Sequence, residues 1–177
     1  MKTTYTISIF TDDRVGMLHR VTSGFTIRKV NIESLTTSLS EVEGIHRYTV
    51  LVEMESEAEV IKLVKAVEKQ VEVHKVFYHR EDEIVYQEIA LYKVPTDAIV
   101  QGDAEHIMRA HNARILTVEP AFTVIEKTGH REETQALFEA LDSYGIIEFV
   151  RSGRVAIMKH TRQLSDYLEE LALAAAN

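Results

Sequence analysis

The chain has 177 residues, 45% hydrophobic and 27% charged, with no cysteine; that excludes disorder, a disulfide framework and thiolate chemistry, and leaves room for one domain or two small ones. Its formal net charge of −8 is uneven, since residues 1–80 carry 11 basic and 11 acidic side chains (balance 0) and residues 81–177 carry 9 and 17 (balance −8). Such a balance argues against nucleic acid, and the acidic half reads as a solvated face, with a basic protein surface as the alternative.

The first residues, Met1-Lys2-Thr3-Thr4-Tyr5-Thr6, lack the apolar core of a signal peptide, and no run has the length of a membrane span. With no cysteine, a cytoplasmic location is the expectation. Residues 7–10 form an apolar strand that stops at the polar corner Asp12-Asp13-Arg14-Val15-Gly16. A helix over 16–28 follows, because Leu18, Val21, Thr22 and Phe25 recur at helical spacing while His19, Arg20 and Lys29 fall opposite. Gly16 has no Cβ, so another group can approach the helix start, where free N–H groups and the dipole favour a carboxylate or phosphate. Asn31, just before the next extended run, offers an amide that both donates and accepts.

Extended runs over 30–40 and 45–54 are joined by Glu41-Val42-Glu43-Gly44 as a hairpin. Ser56-Glu57-Ala58-Glu59 then caps a helix carrying Val60, Leu63, Val64 and Val67 to about residue 69, and residues 71–78 close the unit as a strand. The order β-α-β-β-α-β predicts an α+β, ferredoxin-like fold: an antiparallel four-stranded sheet with both helices on one face and the other face open for pairing. The charged run Arg80-Glu81-Asp82-Glu83 marks a boundary, giving domains over 1–80 and 81–160 and a helical tail over 161–177. The second domain repeats the order with a strand at 84–94, a loop with Pro95 and Gly102, a helix near 103–111, strands at 114–118 and 121–127, a helix near 131–141 and a strand at 146–150. In the tail, Leu164, Leu168 and Leu171 share a face beside Tyr167 and are expected to cap the second domain.

Nothing in the chain reads as a catalytic or metal centre. His74 and His79 point to opposite faces of one strand, and His106 and His111 sit about 140° apart on a helix, so neither pair has ligand spacing. Ser34, Ser152 and Ser165 lie outside any nucleophile elbow, and Gly16 belongs to no phosphate-cradling loop. On residue types alone, Asp12 and Asp13 would simply cap the helix and Asn31 would hold a turn.

The corner Asp13-Arg14-Val15-Gly16-Met17-Leu18, the run Asn31-Ile32-Glu33-Ser34-Leu35 and the late Val150-Arg151-Ser152-Gly153 together resemble the small regulatory subunits of acetolactate synthase, whose first part is an ACT domain. The resemblance implies an ACT domain followed by a second ACT-like α+β domain, with no catalytic residues and no cofactor in this chain. It also implies a homodimer through the ACT domains and an effector site of Asp13, Arg14, Val15, Gly16, Met17 and Leu18, with Asn31 and Ile32 from the neighbouring subunit. The effector would be a branched-chain amino acid, valine first, held by N–H groups near Gly16 to Leu18. The partner would be the large catalytic subunit, which in that family uses thiamine diphosphate, Mg2+ and FAD; neither nucleic acid nor membrane is implied. The chain departs from the family's common pattern in Asp13, where Asn is usual, and Val15, where proline is usual. Outside this family, the competing expectations are a free-standing ACT-type amino-acid sensor and, less favoured, a small enzyme on the same fold.

Overall fold

A computed structural model describes residues 2–101, 104–159, 165–167 and 169. The order of elements is β1 (Thr3–Asp12), α1 (Met17–Thr26), β2 (Ser34–Leu39), β3 (Ile45–Met54), α2 (Glu57–Glu68), β4 (Val73–His79), β5 (Ile84–Pro95), α3 (Thr96–Gln101), α4 (Ala104–Ala110), β6 (Arg114–Val118), β7 (Phe122–Gly129), α5 (Arg131–Leu141), β8 (Glu148–Arg151) and β9 (Val155–Met158). Contacts divide the chain into two units: residues up to Val85 with the segment that begins at Ala156, and Tyr86–Val155.

The first unit is a ferredoxin-like sheet in the order β2-β3-β1-β4, all antiparallel. Alternation along the strands decides its faces. Tyr5, Ile7 and Ile9 of β1 and Tyr48, Val50, Val52 and Met54 of β3 meet Val21 and Phe25 of α1 and Val60, Leu63, Val64 and Val67 of α2 in one core. The helices come close at Gly24, where a Cβ would lie 3.1 Å from Val67 Cγ2 and 2.7 Å from Gln70 Nε2. In α1 the buried face is Met17, Val21, Gly24 and Phe25, while Leu18 stays 45% exposed. Val21 and Phe25 lie on the buried face as expected, while Met17 takes the place of Leu18 and Gly24 that of Thr22.

The other face of this sheet is not open as expected. Thr6, Ser8, Phe10, Thr49 and Leu51 are all buried. The chain from Ala156 returns to this face: Arg47 Nη2 donates to Ala156 O, and the Tyr167 ring packs edge-on against Phe77, 4.9 Å between centroids. Burial holds the Arg47 guanidinium below its ordinary pKa. Tyr167, expected over the second domain, thus packs on the first unit; Leu164, Leu168 and Leu171 lie outside the described residues.

The second unit repeats the order as β6-β7-β5-β8, antiparallel, with β9 paired to β5 off that path. Ala90, Tyr92 and Val94 of β5 pack with Met108, Ile125, Leu137 and Leu141. The loop expected after the first strand of this unit is in part the short helix α3, with Gly102 outside the described residues, and a further short strand, β9, follows β8. Among the described residues, no helix is long and apolar enough to cross a membrane.

Candidate functional site

The corner between β1 and α1 is shaped by Gly16, which serves as the N-cap of α1 at φ 91° and ψ −10°. A side chain is strained there although space for a Cβ is open. The usual capping side chain is missing: no side-chain oxygen accepts from the first turn of α1. Arg14 O accepts the Met17 N–H at 3.3 Å and Gly16 O accepts the Arg20 N–H at 3.1 Å. The N–H groups of Val15, Gly16, Leu18 and His19 find no acceptor among the described residues. Those donors, at the positive end of a ten-residue helix, can take a carboxylate. Of the expected donors, Gly16 and Leu18 are free and Met17 is used; His19 adds one that the sequence did not point to.

Apolar surface surrounds these donors. Val15 is fully exposed and Leu18 is 45% exposed, whereas Met17 turns into the core. The Asp13 N–H is held by Gly44 O at 2.9 Å, and its half-exposed carboxylate lies 3.3 Å from His46 Nδ1. Thr37 Oγ1 meets the other nitrogen of that ring at 2.5 Å. Asp12 meets His74 Nε2 at 2.5 Å. The Arg14 guanidinium is already engaged, 2.8 Å from Glu72 Oε1 and 3.5 Å from Asp12 Oδ2.

Asn31 and Ile32 lie elsewhere in the same chain. They follow the C-terminal end of α1, about 15 Å along the helix from the corner at ~1.5 Å per residue. Asn31 Nδ2 donates to Glu33 Oε1 at 2.7 Å, and Ile32 packs, half-buried, against the first core. Asn31 lines a cleft of about 470 Å³ with Arg28, Lys29, Val30 and Glu33. One copy therefore brings Asp13 to Leu18 together and leaves Asn31 and Ile32 apart. The Glu72, His46 and His74 side chains at the corner were not singled out as binding residues from the sequence. They enter from β3 and from the start of β4, and only the antiparallel register that sets Thr11 against His46 and against Val73 brings them there.

Comparison with known proteins bears on both units. Residues 7–75 match the family described as AHAS small subunit-like ACT domain, and residues 87–160 match the family described as small subunit of acetolactate synthase. An acetolactate synthase small subunit of Bacillus subtilis is 35% identical over 163 residues, 92% of this chain and 94% of that one. One from Mycolicibacterium smegmatis is 33% identical, covering 90% and 93%. The crystal structure of an acetolactate synthase small subunit from Thermotoga maritima superposes with a TM-score of 0.80 at 27% identity, over 90% of this chain and 99% of that one.

Proposed function

The chain belongs to the acetolactate synthase small-subunit family, and from that premise we propose that it is a non-catalytic, cytoplasmic regulatory subunit which activates the large subunit and makes it sensitive to a branched-chain amino acid. Thiamine diphosphate, Mg2+ and FAD belong to the catalytic partner in this reading. The observation that carries the effector site is the uncapped start of α1, where free N–H groups sit beside exposed Val15 and Leu18. The N–H groups suit a carboxylate and the apolar pair suits a branched side chain, whose burial contributes ~1.5–3 kcal/mol.

Two copies complete the site. A two-fold axis that brings the corner of one ACT domain against Asn31 and Ile32 of its neighbour closes the gap found within one chain. The edge strand β2, which follows Asn31 and exposes Leu39, supports pairing on that side. Residues 1–80 are then the effector-binding and dimerising domain, and 81–160 pass its geometry to the large subunit. Exposed Ile115, Leu116 and Val118 on the edge strand β6 support a protein contact there. The effector acts by binding one dimer geometry more tightly than the other; with equal affinity for both it would shift nothing.

The test is the rate of acetolactate formation by the cognate large subunit, with and without this chain, titrated with valine, leucine and isoleucine. Activation and inhibition by one of the three are expected. Gly16→Asp, which adds a carboxylate among the donors and strains the φ of 91°, should remove the inhibition. Full inhibition of that variant while bound to its partner would move the site elsewhere. No binding to the large subunit and no effect on its rate would favour a free-standing amino-acid sensor.

A further inference from the structure

Glu72, in the loop before β4, holds a φ of 69°. A non-glycine side chain is disfavoured in that left-handed region, and the strain asks for a compensating gain. Its carboxylate supplies one. Oε1 accepts from Arg14 Nη1 at 2.8 Å and Oε2 from Arg20 Nη1 at 2.6 Å, with the Glu72 side chain only 21% exposed. The main chain adds two more bonds: Glu72 O accepts the Asp12 N–H at 3.0 Å, and Val71 O accepts from Arg20 Nη1 at 3.1 Å. The ladder between β1 and β4 shifts register between Phe10 and Thr11, leaving His74 as an extra residue on β4, which bends that strand where it reaches this loop. Two adjacent residues thus grip the corner on both sides of Gly16: Asp12 and Arg14 before it, and Arg20 one turn into α1.

We propose that Glu72 is a positioning residue for the effector corner, holding Arg14 and Arg20 so that the free N–H groups of Gly16, Leu18 and His19 keep one direction. The proposal rests on reading that corner as the effector site. In this role Glu72 acts through Arg14 and Arg20 and not on the effector itself. It also occupies two guanidiniums that would otherwise offer an anion alternative poses beside the backbone donors. A merely structural role predicts that effector affinity follows stability through a series of variants. A positioning role separates them, because glycine at 72 relieves the backbone while removing the clamp.

The experiment measures the affinity of the full chain for valine, leucine and isoleucine by calorimetry, with Tm in parallel, for wild type, Glu72→Gln, Glu72→Gly, Glu72→Asp and Gly16→Asp. Glu72→Gln and Glu72→Gly should weaken binding by about tenfold, the scale on which loss of a supporting shell loosens a site. Glu72→Gly should do so without a fall in Tm, and Glu72→Asp should recover part of the affinity. Wild-type or tighter binding by both Glu72→Gln and Glu72→Gly overturns the proposal, as does an affinity loss that simply follows Tm. If Gly16→Asp abolishes binding while the Glu72 variants bind normally, the clamp falls and the corner stands. If the wild type binds none of the three, or Gly16→Asp binds as well as wild type, the corner reading falls and the clamp with it.

Discussion

The two units share a strand order but finish their helix starts differently. In the first unit Ser56 Oγ accepts the Glu59 N–H at the start of α2, and in the second Glu133 Oε2 accepts the His130 N–H at the start of α5, 2.7 Å away. Ser56 thus satisfies one donor of the first turn of α2, and Glu133 the N-cap donor of α5. The helix α1 opens on a left-handed glycine with no side-chain cap. Open donors at a helix end cost stability unless water or a ligand satisfies them, so the start of α1 is suited to bind something. The cores differ as well. Fifteen buried side chains form the main cluster of the first unit and seven that of the second, among the described residues. The second unit instead buries Glu88, Glu126, Lys127 and Arg154. One unit is built as a packed platform for an open corner, the other around a smaller described cluster with charged interior positions.

The largest expected effect tests whether that platform serves the corner. Phe25 is 1% exposed and links α1 to the first core. Phe25→Ala should cost about 3–5 kcal/mol and reduce effector binding, and Leu137→Ala in the second unit should cost about 2–5 kcal/mol while leaving effector binding by the free chain intact. Hydrogen exchange resolved along the chain, with calorimetry of the effector, reads both. Equal loss of binding in the two variants would erase the functional contrast between the units.

A smaller effect separates the cores by their polar content. Tyr92, fully buried in the second unit, donates its hydroxyl to Thr134 O at 2.5 Å, and burial pushes its pKa up to about 12. The folded state therefore prefers the neutral phenol. That preference contributes stability that is whole below the unfolded value near 10 and is lost as pH rises through about 12. Tyr92→Phe should cost about 1 kcal/mol at neutral pH and flatten the alkaline fall in the second unit. Denaturant unfolding as a function of pH measures it; an unchanged alkaline limb would assign that fall to other groups.

Much of this was legible in the chain because it is local. The alternation Tyr48, Val50, Val52, Met54 and the serine at 56 before an acidic turn are enough to place a strand and a capped helix. The start of the buried face of α1 was not, although Val21 and Phe25 were, since Met17 and Leu18 are equally apolar and only the sheet beneath decides which is buried. The covered rear of the first sheet was illegible for a like reason. It depends on Arg47 meeting Ala156, 109 residues later, and on a four-residue strand too short to stand out. At the site, Gly16 announced itself, whereas Glu72 did not: nothing in Gln70-Val71-Glu72 marks a left-handed residue whose partners are 58 and 52 positions earlier.

The finest test of the comparison lies in the helix starts. Ser56→Ala should cost about 1 kcal/mol, the usual loss for an N-cap hydroxyl, and Glu133→Gln about 0.5–1 kcal/mol, since the amide accepts the same N–H without the charge that favours the dipole. The His130 N–H, with Lys127 nearby, holds the Glu133 carboxyl below its ordinary value. Its contribution is therefore present above the ordinary carboxylate range and is lost as pH falls through the depressed folded pKa, so acid unfolding of Glu133→Gln should start from a lower plateau and fall less. Neither substitution should alter effector affinity in the free chain. Gly16→Ala has no cap to remove and acts only through backbone strain at φ 91°, about 1–2 kcal/mol. It should nevertheless weaken the effector most of the three, because the strain is relieved by turning the donors of the first turn. If Ser56→Ala, Glu133→Gln and Gly16→Ala changed stability and affinity in the same proportion, the open helix start would be one more helix end and not a site.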